Sequence, residues 1–189
     1  LSWRPGDRWR DRIEAQGGDL TNPGPHEEIA AVSRSYGHTV AAFLEFAPNG
    51  PPNAAPVAHR PLVDKIRQAI DSVLASNTEY DHPVVRDSQA RVASLGRVAD
   101  RHWSRPMKCK VDWSAVNMLV EGTDISCIYD FDTAYDGSAL TFIGDVYRST
   151  MRYLDWRATR AGLVSAGIRL PTTAELVAAG HLSRWQVLL

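Results

Sequence analysis

The sequence predicts an α+β domain that is mainly helical, with a small β-hairpin cluster in its middle. Three observations predict this class. Two long stretches repeat apolar residues every three, four or seven positions: Leu62, Ile66, Ile70 and Val73 in one, Val85, Val92, Leu95 and Val98 in the other. Short apolar runs broken by a glycine turn cluster between Met107 and Tyr129. The length, 189 residues, fits one domain of ordinary size or one large piece of a two-lobed protein.

The elements follow in order. The first 25 residues are rich in Gly, Pro, Arg and Trp and read as irregular, with at most a short helix near Arg8–Ala15. "PHEEIAAVSRSYG" has acids in its first turn and Gly37 at its end, which predicts a helix of about three turns. "TVAAFLEFA" reads as a buried strand, stopped by the Pro/Asn/Gly linker at 48–56. Helices follow at 58–77 and 83–103, the second with Pro83 in its first turn. "MKCKV" reads as a short strand. "NMLVE", "GTD" and "ISCIY" form a hairpin with Gly122 in the turn. "LTFIGDVYRSTMRYLDWRATRAG" reads as one amphipathic helix ending near Gly162. Thr172 or Thr173 caps a last helix.

Composition narrows the function classes. The chain is 44% hydrophobic and 23% charged, with a net charge of −1, and carries no broad basic surface for nucleic acid. No apolar run approaches the ~18–20 residues of a membrane span, and the start, "LSWRPGDRWRDR", lacks the apolar centre of a signal peptide. Two cysteines, Cys109 and Cys127, make neither a disulfide framework nor a zinc site. They fall on strands expected to neighbour each other and read as small buried apolar groups. The six histidines show no ligand spacing. A reduced, cytoplasmic setting is the expectation.

The chemistry concentrates in "VDWSAVNMLVEGTDISCIYDFDTA", Val111–Ala134. Asp112 and Asn117 stand five apart, and Asp130 comes after the hairpin. A loop followed by a hairpin can fold back and bring the three together. An Asp on such a loop can accept the proton of an attacking hydroxyl. An Asn amide oxygen and a second Asp can hold Mg²⁺, a hard cation that takes oxygen ligands. Phosphoryl transfer needs little else from a protein besides positioning and charge neutralisation.

These residues resemble the catalytic core of the aminoglycoside phosphotransferase/choline kinase-like family, which has the protein-kinase-like fold. Its pattern is H-G-D-x-x-x-x-N, a hairpin, then I-D-W/F-x-x-A; here the two parts read "KVDWSAVN" and "IYDFDTA". The resemblance implies Asp112 as catalytic base, Asn117 and Asp130 as metal ligands, and ATP and Mg²⁺ as cofactors. It implies ATP-dependent phosphorylation of a small-molecule hydroxyl acceptor, with no nucleic-acid or membrane partner. Asp132 matches a position often acidic in the family and receives no role. It further implies that residues 1–50 are a remnant of the N-terminal lobe with its linker strand. Residues 51–189 would be the helical C-terminal lobe with the catalytic loop.

The chain departs from the pattern in two places. Lys110 stands where the family has His, and Val111 where it has Gly. Upstream, residues 1–64 contain no Lys, and neither G-x-G-x-x-G nor G-x-x-x-x-G-K-[ST] occurs. A truncated or weakly active enzyme is therefore expected, or a non-catalytic, pseudokinase-like scaffold that binds a partner. Two other readings of the carboxylates compete. Asp112, Asp130 and Asp132 could cap turns at strand ends, as Glu121 and Asp124 are read to do in the hairpin. "YDFDTAYDG" also resembles the D-x-D-x-T nucleophile motif of haloacid dehalogenase-like phosphatases, but Ala134 stands where Thr or Val is wanted. Of the tryptophans, Trp113 beside the base is the one placed to line an acceptor pocket; the others read as packing anchors.

Overall fold

The computed structural model describes residues 6–18, 26–46, 68, 71–72, 75, 90, 106–110, 112–130, 134–150, 153–173, 175–177 and 179. In chain order these form β1 (Asp7–Arg8), α1 (Trp9–Ala15), α2 (His26–Phe46), β2 (Pro106–Lys110), a 3₁₀ turn (Ala115–Asn117), β3 (Met118–Glu121), β4 (Asp124–Ile128), β5 (Ala134–Ser138), α3 (Ala139–Ser149) and α4 (Trp156–Ser165). The class is the expected one: helices together with small antiparallel sheets. The chain divides into two compact units. One gathers Leu1–Ala47, Asp112–Thr133 and Val146–Leu170; the other gathers Pro48–Val111, Ala134–Asp145 and Pro171–Leu189.

In the first unit α2 is the longest element, and it corrects the sequence reading. The strand expected over 39–47 is helix; α2 runs unbroken through Gly37 to Phe46. Its buried positions are Ile29, Val32, Ser33, Tyr36, Gly37, Val40, Ala41 and Leu44. That stripe keeps one helical period across the whole length, so Val40, Ala41 and Leu44 extend a helix face. A short apolar run is ambiguous between strand and helix, and packing decided it. Glu27 and Glu28 sit in the first turn, where they favour the positive end of the helix dipole.

Gly37 does not end the helix; it brings α2 against α4. A Cβ on Gly37 would collide with the Thr159 carbonyl oxygen and stand 3.0 Å from Gly162 Cα. A Cβ on Gly162 would collide with the Arg34 carbonyl oxygen and stand 3.1 Å from Gly37 Cα. The two backbones touch because both residues lack a side chain. Other elements are held to α2 by hydrogen bonds. Ser33 Oγ accepts from Asp155 N at 2.8 Å, and Ser35 Oγ accepts from Ile125 N at 3.0 Å.

The expected single helix over 140–162 is two helices, α3 and α4. Between them Tyr153 has φ 61°, a conformation no helix interior contains. The link is held from α1: Trp9 Nε1 donates to Tyr153 O at 2.7 Å, and Tyr153 Oη donates to Glu14 Oε1 at 3.1 Å. Asp155 then caps α4, its side chain accepting from Arg157 N at 2.8 Å. Gly167 closes α4, five residues past the expected end at Gly162, with Gly167 N bonded to Val164 O and Ile168 N to Leu163 O.

The hairpin matches expectation. β3 and β4 pair antiparallel, and Gly122 takes φ 61° in the two-residue turn. Glu121 and Asp124 are its exposed flanking residues. A register shift falls between Leu119 and Val120. The expected irregular start contains β1, which pairs with β3 to give a sheet ordered β1-β3-β4. Arg12 straps the turn from outside: Nη1 donates to Gly122 O at 2.7 Å, and Nη2 pairs with Glu28.

In the second unit β2, the expected "MKCKV" strand, pairs with β5 over 134–138. The sequence reading left that segment without a strand because its only alternation is "AYDGS". Cys109 on β2 and Cys127 on β4 therefore lie in different sheets, not on neighbouring strands. Cys109 is buried and Cys127 half-buried, and both are free thiols. Thr172 forms the cap it was expected to form. Its N–H and hydroxyl donate to Glu175 Oε2 at 2.7 and 2.8 Å, and Glu175 N donates back to Thr172 Oγ1 at 3.3 Å. The linker at 48–56 and most of the helices at 58–77 and 83–103 lie outside the described residues. Gln68, Asp71, Ser72, Ala75 and Ala90, which are described, are helical. No helix among the described residues is long and apolar enough to cross a membrane.

Two predictions follow from the packing. Gly37→Ala and Gly162→Ala should each destabilise by about 1–3 kcal/mol, the usual cost of overpacking. The double variant should cost less than the sum, because the first substitution already separates the helices. Denaturant midpoints check this; full additivity would mean that the two glycines do not share one contact.

The second concerns Glu14. Its hydrogen bond with Arg10 holds the carboxyl below its ordinary value of 4.5, and the Tyr153 hydroxyl acts in the same direction. A depressed carboxyl contributes stability above its unfolded pKa, which is lost as pH falls through the folded one. The melting temperature of Glu14→Gln should therefore fall below wild type at neutral pH. The difference should close as pH drops below 4.5.

Candidate active site

The site lies within the first unit, on the loop entering β3 and on the hairpin that follows. The loop is extended at Ser114 and makes one 3₁₀ turn, closed by Asn117 N donating to Ser114 O at 3.0 Å. Asn117 is buried, Asp112 half-buried and Asp130 exposed. The five-residue spacing brings Asn117 back onto Asp112. Asn117 Nδ2 donates to Asp112 O at 3.1 Å and stands 3.5 Å from Asp112 Oδ2. With the amide nitrogen so engaged, Oδ1 is the end left to meet a cation.

The hairpin closes the arrangement. Tyr129 N donates to Asn117 O at 3.1 Å, and Tyr129 Oη donates to Val116 O at 2.6 Å. Asp130 is the next residue, so the hairpin end sets its backbone beside Asn117. Hydrogen bonds thus link Asp112, Asn117 and Tyr129, with the exposed Asp130 next in sequence. Asp132 and Val111 lie outside the described residues. Lys110 ends β2 opposite Ala134, and its side chain lies outside the described residues.

Both acids sit on strained backbone. Asp112 has φ 67° and Asp130 φ 63°; with Tyr153 they are the non-glycine residues of positive φ among those described. Asp tolerates this region better than most residues, but it still costs on the order of 1 kcal/mol or more.

Among the described residues no three His, Cys, Asp or Glu side chains gather as a metal site. The oxygen donors on this loop and hairpin end are the Asn117 amide, the Asp112 carboxylate beside it and the exposed Asp130 carboxylate. Hard oxygens in that small number suit Mg²⁺ as it is held with substrate phosphates, where one or two carboxylates suffice and waters complete the shell. They do not suit Zn²⁺, which needs three or four nitrogen, sulfur or carboxylate ligands.

Trp113 is a buried anchor that also lines a cleft. It is 1% exposed, edge-on to Phe43 with centroids 4.9 Å apart, and its carbonyl accepts from Tyr36 Oη. With Thr39, Phe43, Ile125 and Ile128 it lines a cleft of about 330 Å³ between α2 and β4. It anchors the loop to α2. Trp9 is likewise a fully buried anchor, and Trp156 packs edge-on against Tyr147. Sequence reasoning missed Tyr129 and Tyr36, the two phenols that bind the loop backbone. Each had a signal: Tyr129 ends the apolar run "ISCIY", and Tyr36 shares a helical period with Val32 and Val40, so each hydroxyl needs a partner where it is covered.

No protein-family model matches the chain, and no curated protein matches it. Seven chains of solved structures do match. One is the macrolide 2'-phosphotransferase MphH of Brachybacterium faecium, solved as the apoenzyme, at a TM-score of 0.52 and 16% identity. The match covers 84% of this chain and 52% of that one, so the chain spans about half the length of that enzyme. The likeness is one of fold.

The strain at Asp130 can be measured. Glycine should be more stable there than alanine by about 1 kcal/mol, because alanine pays the left-handed penalty in full. Equal stability of Asp130→Gly and Asp130→Ala in urea melts would remove the positive φ from the account.

Proposed function

We propose that the chain carries the catalytic part of an ATP-dependent small-molecule phosphotransferase acting on a hydroxyl group. The observation behind the reading is the hydrogen-bonded link from Asp112 through Asn117 to Tyr129, with Asp130 next in sequence. It stands in a fold like that of a macrolide phosphotransferase. In this reading the Asp112 carboxylate accepts the proton of the acceptor hydroxyl. The hydroxyl oxygen bonds to the γ-phosphorus of ATP as the bond to the bridging oxygen breaks, and ADP leaves. Asn117 and the Asp130 carboxylate would hold Mg²⁺, which would neutralise charge on the phosphates. The acceptor class follows the fold only loosely, since one fold serves many substrates. We place the protein in the cytoplasm, in keeping with its two free thiols.

In this reading Asp112, Asn117 and Asp130 serve as base and metal ligands, while residues 1–64 of this chain contain no Lys to bind phosphate. ATP binding by this chain is accordingly expected to be weak. A non-catalytic scaffold is the second reading, favoured by Lys110 in place of the family His.

The test is Mg²⁺-dependent ATP binding followed by thermal shift. Wild type should show a shift that needs Mg²⁺, and Asp130→Ala should lose it. Asp112→Asn should keep the shift while γ-phosphate transfer to a panel of hydroxyl acceptors falls about 10²–10⁴-fold, the usual loss for a general base. No shift in wild type would leave the scaffold reading.

A further inference from the structure

We propose that Tyr129 is a positioning residue that sets the distance between the two metal ligands, Asn117 and Asp130, by clamping two consecutive carbonyls of the loop. The proposal rests on the phosphotransferase reading of the site and adds a residue that the family pattern does not contain. Where that pattern has Ile before the metal-binding Asp, this chain has Tyr.

The geometry is specific to tyrosine. The 3₁₀ turn ends at Asn117, and the last carbonyls of any helical turn lack partners within it. Tyr129 supplies both. Its main-chain N–H takes Asn117 O at 3.1 Å and its phenol takes Val116 O at 2.6 Å. One residue therefore grips the loop at two successive points, with the length of its own side chain between them. A single bond would fix a distance; two fix the direction of the Val116–Asn117 backbone as well. The Asn117 side chain is already turned by its bond to Asp112 O, so its Oδ1 is oriented from both sides.

The clamp also bears on Asp130. A residue at φ 63° stays there only where its surroundings over-determine it. Tyr129, directly before it, is held at both its backbone and its tip. Removing the phenol oxygen leaves the ring and the backbone bond in place, and frees the turn to rotate about the Asn117–Tyr129 bond. The ligand pair then loosens without loss of either ligand. Positioning contacts of this kind are typically worth 10–100-fold in metal affinity.

Tyr36 provides a control. Its hydroxyl also donates to a loop carbonyl, that of Trp113, but at the far end from Asn117. It should matter for stability and not for the metal.

The experiment compares wild type, Tyr129→Phe and Tyr36→Phe by two measurements. The first is amide hydrogen exchange over residues 112–130 without nucleotide or metal. The second is the Mg²⁺ concentration at half of the ATP-induced thermal shift. For Tyr129→Phe we expect faster exchange at the Tyr129 amide, a melting temperature within ~4 °C of wild type, and a Mg²⁺ midpoint raised at least about tenfold. For Tyr36→Phe we expect a lowered melting temperature and a Mg²⁺ midpoint within about twofold of wild type. A Mg²⁺ response in wild type that Tyr129→Phe leaves unchanged overturns the clamp while the phosphotransferase reading stands. Unchanged exchange at the Tyr129 amide overturns it independently of any ligand. Absence of any Mg²⁺-dependent response in wild type overturns the phosphotransferase reading, and the clamp's role in metal positioning with it.

Discussion

The close crossing of α2 and α4 at Gly37 and Gly162 is the constraint on which the first unit depends. Once the two backbones meet there, the depth of α2 in the unit is set, and its polar side chains fall against fixed partners. Ser33 reaches the first residues of α4, Ser35 the start of β4, and Tyr36 the carbonyl of Trp113. These three bonds leave one helix within four residues of Gly37. A single helix thereby locates the loop, the hairpin and the second helix together. An error in the crossing would pass to all three, which is why two glycines occupy it despite their cost within helices.

The candidate site is built the same way, from backbone outwards. The loop that carries Asp112 and Asn117 is gripped at its carbonyls. Trp113 O is held by Tyr36, and Val116 O and Asn117 O by Tyr129. A chain so tethered can keep two acids in a left-handed backbone region that a free loop would leave. Strain of that kind is common at reactive sites. The likeness to a macrolide phosphotransferase extends over most of this chain and about half of the other, which fits a kinase-like fold in part.

Much of this was legible in the sequence. The hairpin carried its own mark in Gly122, and the last helix its capping box in Thr172 and Glu175. Asp112, Asn117 and Asp130 stand out in the sequence by order and spacing, and Tyr129 bonds the hairpin end to the loop. What failed, failed for one reason: local pattern was asked to report tertiary contact. Gly37 looked like a stop because glycine often is one, while its use here depends on a partner 125 positions away. The run from Thr39 to Ala47 looked like a strand because a short apolar stretch has no unique period. The break between α3 and α4 is imposed by Trp9 from the other end of the unit. Strand β5 is defined by its pairing with β2 and has little apolar alternation to announce it.

The two-residue strand β1 is the smallest element of the fold, yet it occupies the outer side of β3. A sheet of β3 and β4 alone would present the backbone donors and acceptors of β3 to solution, and Met118 and Val120, now buried, would lie beside them. Such an edge recruits other strands. Arg12 and Trp9 fasten the cover from the helix that follows it. The stretch from Gly6 to Gly18 is thus a shield against self-association, and shortening the chain from its start would trade a few residues for a tendency to aggregate.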